Sequence, residues 1–248
     1  MNIFPISGWR QWLPCSITIL ALFSGFLSII FVFHGMVNDE REPVAMGCLL
    51  IFLAWIFDSL DGAVARWVRG TSAFGAELDT FVDFLSFSVA PAVLVFTVTL
   101  PGQALAVRSL FPTLMVASGA MRLSKFRVMD TVRGLKGYTG LPVTLIAGFV
   151  AMWIFLLLPD EELTLPAWEQ GVLFLSVAAA IILQVSGIHY PAPTKKPVVM
   201  IPMILLIVIF ALLWWFDSPL AFWWGMGMLV LGYGYSILYP FLKKKTQE

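Results

Sequence analysis

The chain has 248 residues, of which 60% are hydrophobic and only 12% are charged, and its mean hydropathy is +0.91. These values exclude an ordinary soluble domain and are typical of an integral membrane protein. The formal net charge is zero, but the charges are segregated along the chain, and no nucleic-acid partner is expected.

Eight apolar runs are long enough to cross about 30 Å of hydrocarbon at about 1.5 Å per residue. The predicted spans cover residues 14 to 36, 43 to 69, 76 to 100, 108 to 127, 140 to 158, 168 to 187, 198 to 216 and 219 to 241. The fourth run is interrupted by Pro112, and only a short turn at Asp217 separates the last two, so seven spans is the nearest alternative. We therefore predict an all-α integral membrane protein, a bundle of about eight transmembrane helices.

The basic residues predict the orientation of these spans, because Lys and Arg accumulate in cytoplasmic loops. With both termini in the cytoplasm, all 15 basic residues except Arg41 and Arg108 fall on the cytoplasmic side. The opposite side then carries the acidic turns at 39 to 42 and 160 to 162. Four tryptophans near the outer ends of the last two spans are interpreted as interfacial anchors: Trp214, Trp215, Trp223 and Trp224.

The stretch DSLDGAVARWVRGTSAFGAELDTFVD, residues 58 to 83, brings charge into the second and third spans. It contains five acids and two arginines: Asp58, Asp61, Glu77, Asp79, Asp83, Arg66 and Arg69. A charged side chain at the centre of a bilayer costs about 2.5 to 3.5 kcal/mol. An intramembrane cluster of acids is therefore a hypothesis of function.

Helical periodicity predicts that the acids of the two spans converge. At about 100° per residue, Asp61, Gly62 and Ala65 all lie within about 60° of Asp58 on one helix face. Asp79 and Asp83, at positions i and i+4, share a face of the next helix. The two helices are antiparallel neighbours across a short turn, so the four aspartate carboxylates can meet at a similar depth.

Four converging carboxylates need a counter-charge in a low-dielectric site. Oxygen ligands favour Mg²⁺, Mn²⁺ or Ca²⁺, and two such ions clamping a phosphate suit an in-line displacement. Only Arg66 and Arg69 are expected near enough to form ion pairs instead. Gly62 and Ala65 either leave room for a ligand or merely let two helices approach.

The motif D-x-x-D-G-x-x-A-R-x8-G-x3-D-x3-D, which runs from Asp58 to Asp83, resembles the signature of the CDP-alcohol phosphotransferase family. The resemblance implies a site for two Mg²⁺ or Mn²⁺ ions, with Ca²⁺ as a possible occupant, held chiefly by Asp58, Asp61 and Asp79. It implies that Asp83 contributes to the metal site and acts as the general base. Cytidine diphosphate is expected to pack near four residues of the motif: Gly62, Ala65, Arg66 and Gly75.

Four further stretches are similar to those of bacterial phosphatidylserine synthases of the membrane-embedded type: residues 75 to 92, 119 to 128, 137 to 144 and 184 to 191. The resemblance covers most of residues 10 to 197, and the last two spans add little to it. It implies one domain over residues 1–248, with a six-helix core at about 10–197 and extra spans at about 198–241. Ser88, Arg127 and Thr144 differ from the expected pattern and bear on the acceptor alcohol.

The implied reaction transfers the phosphatidyl group of CDP-diacylglycerol to L-serine and releases CMP. Glycerol phosphate, inositol phosphate or choline are alternative acceptors. Arg122 and Lys125 could hold the serine carboxylate or a lipid phosphate, or could simply be positive-inside charges. An ion-coupled transporter is the non-enzyme alternative. The resemblance further implies a homodimer among membrane lipids in the bacterial inner membrane, with the active site and both termini cytoplasmic.

Overall fold

The structure is a computed structural model that describes residues 8–99, 103–133, 138–159, 163–190 and 197–244. In this part of the chain, eight helical rods follow one another. They are α1 (Trp9–Asn38), α2 (Arg41–Trp67), α3 (Ala73–Val98), α4 (Leu105–Arg133), α5 (Val143–Leu157), α6 (Ala167–Val185), α7 (Pro197–Trp215) and α8 (Leu220–Lys244). Helix α3 contains a π-helical segment, Leu85–Val89.

The rods coincide with the predicted spans, and the prediction of an all-α membrane protein is confirmed. By length and composition, α1, α2, α3 and α6 could each cross a membrane, whereas α5 and the apolar parts of α7 and α8 are shorter. Helix α4 is not among the four, but it continues through Pro112 without a break. In the described residues, the only strands are the two-residue β1 (Tyr138–Thr139) and β2 (His189–Tyr190), paired antiparallel.

Helices α1 and α2 pack closely along their length because small residues line the contact between them. The Ser28 hydroxyl donates a 2.8 Å hydrogen bond to the Gly47 carbonyl oxygen. A Cβ atom at Gly47 would collide with the Val32 side chain. This close packing holds α1 beside the acidic half of α2.

Helix α5 lies at the centre of the bundle and packs against α2, α3, α6 and α8. Its residues are buried on almost every side, with Val150 and Ile154 fully enclosed. Phe210 of α7 is also fully buried and makes edge-to-face contacts with Phe52 and Phe155. The last two helices are therefore docked on the core.

The tryptophans near the α7–α8 turn divide into two groups. Trp215 and Trp223 are exposed, as an interfacial anchor would be. Trp214 instead packs against Phe155, and Trp224 donates its indole N–H to the Leu206 carbonyl oxygen. Trp214 and Trp224 therefore also contribute to packing and hydrogen bonding, while their role as interfacial anchors stays a prediction.

The turn from α2 to α3 brings the two acidic segments together. Arg69 adopts a left-handed conformation, with φ 54°, and the Gly70 N–H donates to the Ala65 carbonyl oxygen. A Cβ atom at Gly70 would collide with the Arg10 backbone, so only glycine fits there. Ser72 then caps α3 by accepting a hydrogen bond from the Gly75 N–H at 3.0 Å.

Candidate metal centre and active site

Three aspartates of the motif form one cluster in the structure. Asp58, Asp61 and Asp79 each offer a carboxylate oxygen, and these oxygens lie within 4.8 Å of one another. Asp58 and Asp61 are one turn apart on α2, and Asp79 comes from the facing turn of α3. The predicted convergence of these carboxylates is therefore observed.

Asp83, the fourth aspartate, lies beside this cluster, one turn further along α3. Its carboxyl group is close enough to the carboxyl group of Asp58 for the two to interact electrostatically. Its Oδ1 atom is buried and has no hydrogen-bond partner in the described residues. Asp83 thus has an oxygen available for a metal ion or for a substrate proton.

The chemistry of these donors fits a divalent cation. All of the clustered donors are carboxylate oxygens, which suit Mg²⁺, Mn²⁺ and Ca²⁺. Three or four ionised carboxylates so close together repel one another strongly in a medium of low dielectric constant. Buried polar atoms are normally satisfied by a partner, and Asp83 Oδ1 is buried with no hydrogen-bond partner among the described residues. A bound cation would satisfy it.

The cationic residues around the cluster differ from those expected. Arg66 interacts with Asp61, as the sequence predicts, but Asp79 faces Arg127 and Asp83 faces Arg122. Both additional arginines come from α4, with Arg127 48 residues after Asp79 and Arg122 39 residues after Asp83, so spacing within the motif could not reveal them.

Thr18 of α1 is a contributor that sequence reasoning missed. Its hydroxyl donates a 2.5 Å hydrogen bond to Asp61 Oδ2 and also contacts the Pro14 carbonyl oxygen at 3.1 Å. Thr18 is buried in an otherwise apolar helix. The sequence shows a hydroxyl residue within an apolar segment. A helical threonine commonly donates to a carbonyl oxygen of its own helix, so the sequence could not identify Asp61 as a second partner.

The residues expected near the nucleotide line the same part of the helix pair. Gly62 is half-buried, and the Arg66 guanidinium lies above it, 3.3 Å from where a Cβ atom would stand. Ala65 and Gly75 are also half-buried, and Gly75 faces the Cys15 thiol. Small residues thus leave the backbone of α2 and α3 open next to the aspartates.

The π-helical segment begins at Leu85, two residues after Asp83, and packs against two neighbouring helices. The Ser86 side chain packs against Gly25 of α1, and the Ser88 side chain packs against Gly119 of α4. In both cases a Cβ atom on the glycine would collide with the serine. Single-turn π segments are frequent at functional sites, and this one fixes the rotation of α3 at Asp83.

Arg122 and Lys125 both lie near the site but in different environments. Arg122 is buried, faces Asp83 and packs over the Phe126 ring. Lys125 donates a hydrogen bond to the Ser186 carbonyl oxygen at 3.2 Å. The structure therefore brings Arg122 to the aspartates, whereas Lys125 ties α4 to the loop that leads into β2.

The structure also shows the surroundings of Glu77, the fifth acid of the stretch, and of the three residues that depart from the family pattern, Ser88, Arg127 and Thr144. Glu77 is exposed and forms an ion pair with Arg127, so it stands outside the cluster. Ser88 packs against Gly119, and Thr144 lies in the first turn of α5, which begins at Val143. Of the three departures, Arg127 and Ser88 therefore contact elements that carry the site.

Comparison with known proteins agrees with this geometry. The family model described as CDP-alcohol phosphatidyltransferase matches residues 11–183. The chain is 33% identical to the archaetidylserine synthase of Methanothermobacter thermautotrophicus over 181 residues, which is 72% of this chain and 69% of that protein. It is 30% identical to the CDP-diacylglycerol–serine O-phosphatidyltransferase of Helicobacter pylori 26695 over 179 residues, 69% of this chain and 73% of the other. For the Methanocaldococcus jannaschii protein of the same name, identity is 35% over 153 residues, 59% and 64% of the two chains.

Proposed function

This chain belongs to the CDP-alcohol phosphatidyltransferase family, and from that premise we propose that it transfers the phosphatidyl group of CDP-diacylglycerol to L-serine, giving phosphatidylserine and CMP. The observation that carries the proposal is the cluster of Asp58, Asp61 and Asp79 with Asp83 beside it. Relatives over most of the chain are named as serine phosphatidyltransferases, which supports serine as the acceptor. An ion-coupled transporter is disfavoured, because the family consists of transferases.

In the proposed site, Asp58, Asp61 and Asp79 hold the metal, and Asp83 lies where it can complete the set. We propose two ions, Mg²⁺ or Mn²⁺, with Ca²⁺ as an alternative occupant. When bound, divalent cations supply the positive charge that polarises the diphosphate and stabilises the leaving CMP. The half-buried Gly62, Ala65 and Gly75 give the cytidine diphosphate room beside the backbone, and Arg66 adds a positive charge over Gly62.

Asp83 serves as the general base of the reaction. Its carboxylate accepts the proton of the serine hydroxyl while the serine oxygen bonds to the lipid-bearing phosphorus. The bond from that phosphorus to the CMP oxygen breaks, and CMP leaves with the electron pair. The buried Oδ1 of Asp83, which has no partner among the described residues, is the atom suited to accept this proton.

Arg122 is proposed to bind an anionic group of a substrate, either the serine carboxylate or the lipid phosphate. A guanidinium held in a buried position can bind a carboxylate or phosphate with two parallel hydrogen bonds. Lys125 is proposed to assist from the next turn, where its ammonium group already bonds the Ser186 carbonyl oxygen. The sibling acceptors would use the same aspartates, so these residues outside the motif distinguish between alcohols.

We also propose a single domain over residues 1–248, with the core at about 10–197 and added spans at about 198–241. The family match over residues 11–183 supports this division. The protein is proposed to lie in the bacterial inner membrane as a homodimer, with both termini and the active site cytoplasmic. Cross-linking in native membranes tests the dimer, and a monomer-only pattern at every cross-linker length would contradict it.

The activity is tested with purified protein, CDP-diacylglycerol and Mg²⁺ or Mn²⁺ against a panel of alcohols, following CMP release and the lipid product. The panel contains L-serine, glycerol phosphate, inositol phosphate and choline. We expect CMP release only with L-serine, accompanied by phosphatidylserine. Turnover with another alcohol instead of L-serine would support phosphatidyl transfer but contradict serine as the acceptor. Absence of CMP release with every alcohol, together with metal-independent ion flux in liposomes, would contradict the enzyme.

A further inference from the structure

A surface rich in tryptophan and arginine lies at the end of the bundle where α1 begins and α2 ends. Trp9 and Trp12 of α1 and Trp67 of α2 are exposed there. Arg10 and Arg69 are exposed beside them. Tryptophan is typical of the boundary between hydrocarbon and lipid headgroups, and basic residues are frequent next to it. These five residues are named the Arg10–Arg69 surface.

The two arginines are neighbours because the first turn of α1 packs against the turn between α2 and α3. The backbone of Arg10 lies directly against Gly70, where no Cβ atom can be accommodated. Arg69 immediately precedes Gly70, so Arg10 and Arg69 stand side by side although they are far apart in sequence. Two guanidinium groups on long side chains can therefore reach one anion.

Arg69 occupies a backbone conformation that favours glycine. Its φ is 54°, in the left-handed region, where a Cβ atom crowds the backbone. Glycine would supply the same turn without strain. Arginine at this position therefore adds nothing to the turn itself, and residues held in sparsely populated conformations are concentrated at functional sites.

No carboxylate of the described residues neutralises the Arg10–Arg69 surface. The sequence contains no Asp or Glu in residues 1–38 or 62–76. Neither arginine forms an ion pair with a described acid, and the Arg10 guanidinium carbon instead lies 5.8 Å from the centre of the Trp9 ring. Glu77, the first acid after the turn, pairs with Arg127. Within the described chain, the surface therefore presents uncompensated positive charge.

We propose that the Arg10–Arg69 surface binds the phosphate of an anionic phospholipid at the membrane surface. Guanidinium groups donate paired hydrogen bonds to phosphate oxygens, so two neighbouring arginines suit one phosphodiester. The exposed tryptophans place the surface at the depth of the headgroups, which favours a lipid over a phosphate free in water. Arg69 lies beyond the end of α2 at Trp67, outside the aspartate cluster, so this binding does not require phosphatidyl transfer.

The conformation of Arg69 provides a variant that removes its charge without harming the fold. Arg69→Gly deletes the guanidinium and relieves the left-handed strain, so its thermal stability should not fall below that of wild type. Arg10→Gln removes the second charge from an exposed side chain. Lys244→Gln is the control for the loss of one positive charge elsewhere, because Lys244 ends α8, which packs against α5, α7 and β2.

Binding is measured by native mass spectrometry of the purified protein in detergent with EDTA, titrated with dioleoylphosphatidylglycerol or dioleoylphosphatidylcholine. We expect wild type to bind phosphatidylglycerol more tightly, because only this lipid carries a net negative charge. Each arginine variant should weaken that binding roughly fivefold, and the double variant roughly 25-fold, as expected for arginines near an anionic surface. Lys244→Gln should match wild type. Unchanged phosphatidylglycerol affinity in Arg69→Gly and Arg10→Gln would overturn the proposal, and so would equal affinity of wild type for both lipids.

A cross-link then locates the bound lipid. Phosphatidylglycerol with a diazirine in its headgroup is irradiated with the wild-type protein, and labelled peptides are mapped. We expect label on residues 8–13 and 66–72, lost in the double variant and retained in an excess of glycerophosphoglycerol, the same headgroup without acyl chains. Loss of the label to glycerophosphoglycerol would make the surface a site for soluble phosphates and contradict a lipid. Label confined to other residues would overturn the proposal, whether or not the protein releases CMP.

Discussion

The carboxylates of the cluster differ in their neighbours, although the motif presents them as similar residues. Asp61 accepts a hydrogen bond from Thr18, whereas Asp79 faces Arg127. Asp83 lies beside Asp58, and its Oδ1 atom has no hydrogen-bond partner among the described residues. Distinct surroundings on one helix pair allow distinct roles, with three side chains suited to metal binding and one to proton transfer.

The role of Asp83 predicts a separation of turnover from binding. Asp83→Asn keeps the size of the side chain and one oxygen atom, but the amide cannot accept the serine proton. We expect kcat to fall roughly 100- to 10,000-fold, while Mn²⁺-dependent binding of CDP, measured by calorimetry, is largely retained. Equal loss of binding and turnover would instead make Asp83 a primary metal ligand.

Thr18 predicts an effect on metal affinity from a residue that need not touch the metal. Thr18→Val preserves the shape of the side chain but removes the 2.5 Å hydrogen bond that orients Asp61. We expect the Mg²⁺ concentration for half-maximal activity to rise roughly 10- to 100-fold, with recovery in Thr18→Ser.

The matched control for this prediction is Thr97→Val. Thr97 is also a buried threonine that bonds the carbonyl oxygen four residues earlier, that of Val93, but it lies on α3 far from the aspartates. Its substitution should leave the metal requirement unchanged. If both valine variants shift the Mg²⁺ requirement alike, the effect belongs to general stability and not to Asp61.

At the scale of the elements, helix α3 is the one whose internal geometry matters most for the site. Its π-helical segment, Leu85–Val89, separates the acidic half from the buried apolar half. Ser86 and Ser88 pack against glycines of α1 and α4, so the segment is fixed from both sides. The rotation of Asp83 about the helix axis therefore depends on contacts with two other helices.

The contact between Ser88 and Gly119 predicts that substitutions at the two positions are coupled, so that one compensates for the other. Gly119→Ala places a Cβ atom against the Ser88 side chain, and the resulting overpacking should cost about 1 to 3 kcal/mol and displace Asp83. We expect lower thermal stability in detergent and lower kcat. Adding Ser88→Gly removes the collision and should restore both, a coupling that a double-mutant cycle measures. Additive losses would show that the two residues act independently.

The elements that the sequence predicts correctly are those with a strong local signal. Long apolar runs predicted the helices. The i, i+3 spacing of Asp58 and Asp61 and the i, i+4 spacing of Asp79 and Asp83 predicted that each pair shares one face of its helix. Features that depend on distant partners were not predicted. They include the bond from Thr18 to Asp61 across 43 residues and the π-helical segment, which neighbouring helices stabilise.

At the scale of the whole molecule, charge is distributed unequally between the two ends of the bundle. The acidic cluster and Arg66 lie at one end, with Arg122 and Arg127 of α4. At the opposite end, Arg41 donates to the Leu158 carbonyl oxygen and Arg108 to that of Phe96. The two arginines that the orientation rule leaves outside thus bond backbone carbonyl groups at helix ends, which lowers the cost of their position.

This arrangement predicts the sides on which two turns are exposed. Arg69→Cys, beside the acids, should react with a membrane-impermeant maleimide only in inverted vesicles, and Ser218→Cys, in the α7–α8 turn, only in right-side-out vesicles. The native Cys15 and Cys48 are buried and should react slowly, and the parent protein measures that background. Labelling of both variants from the same side would contradict the proposed topology.

The central claim is that the clustered aspartates make a metal-dependent centre for phosphatidyl transfer to serine. The most direct measurement follows CMP and phosphatidylserine together for wild type, Asp58→Asn, Asp61→Asn, Asp79→Asn and Glu77→Gln, with and without Mg²⁺ or Mn²⁺. We predict one phosphatidylserine per CMP in wild type, strict dependence on the metal, and a loss of roughly 100-fold or more in each aspartate variant. Glu77 is an exposed acid on α3, the helix of Asp79, and lies outside the cluster, so the activity of Glu77→Gln should stay near that of wild type. Phosphatidylserine formation without metal, or its persistence in the aspartate variants, would contradict the claim.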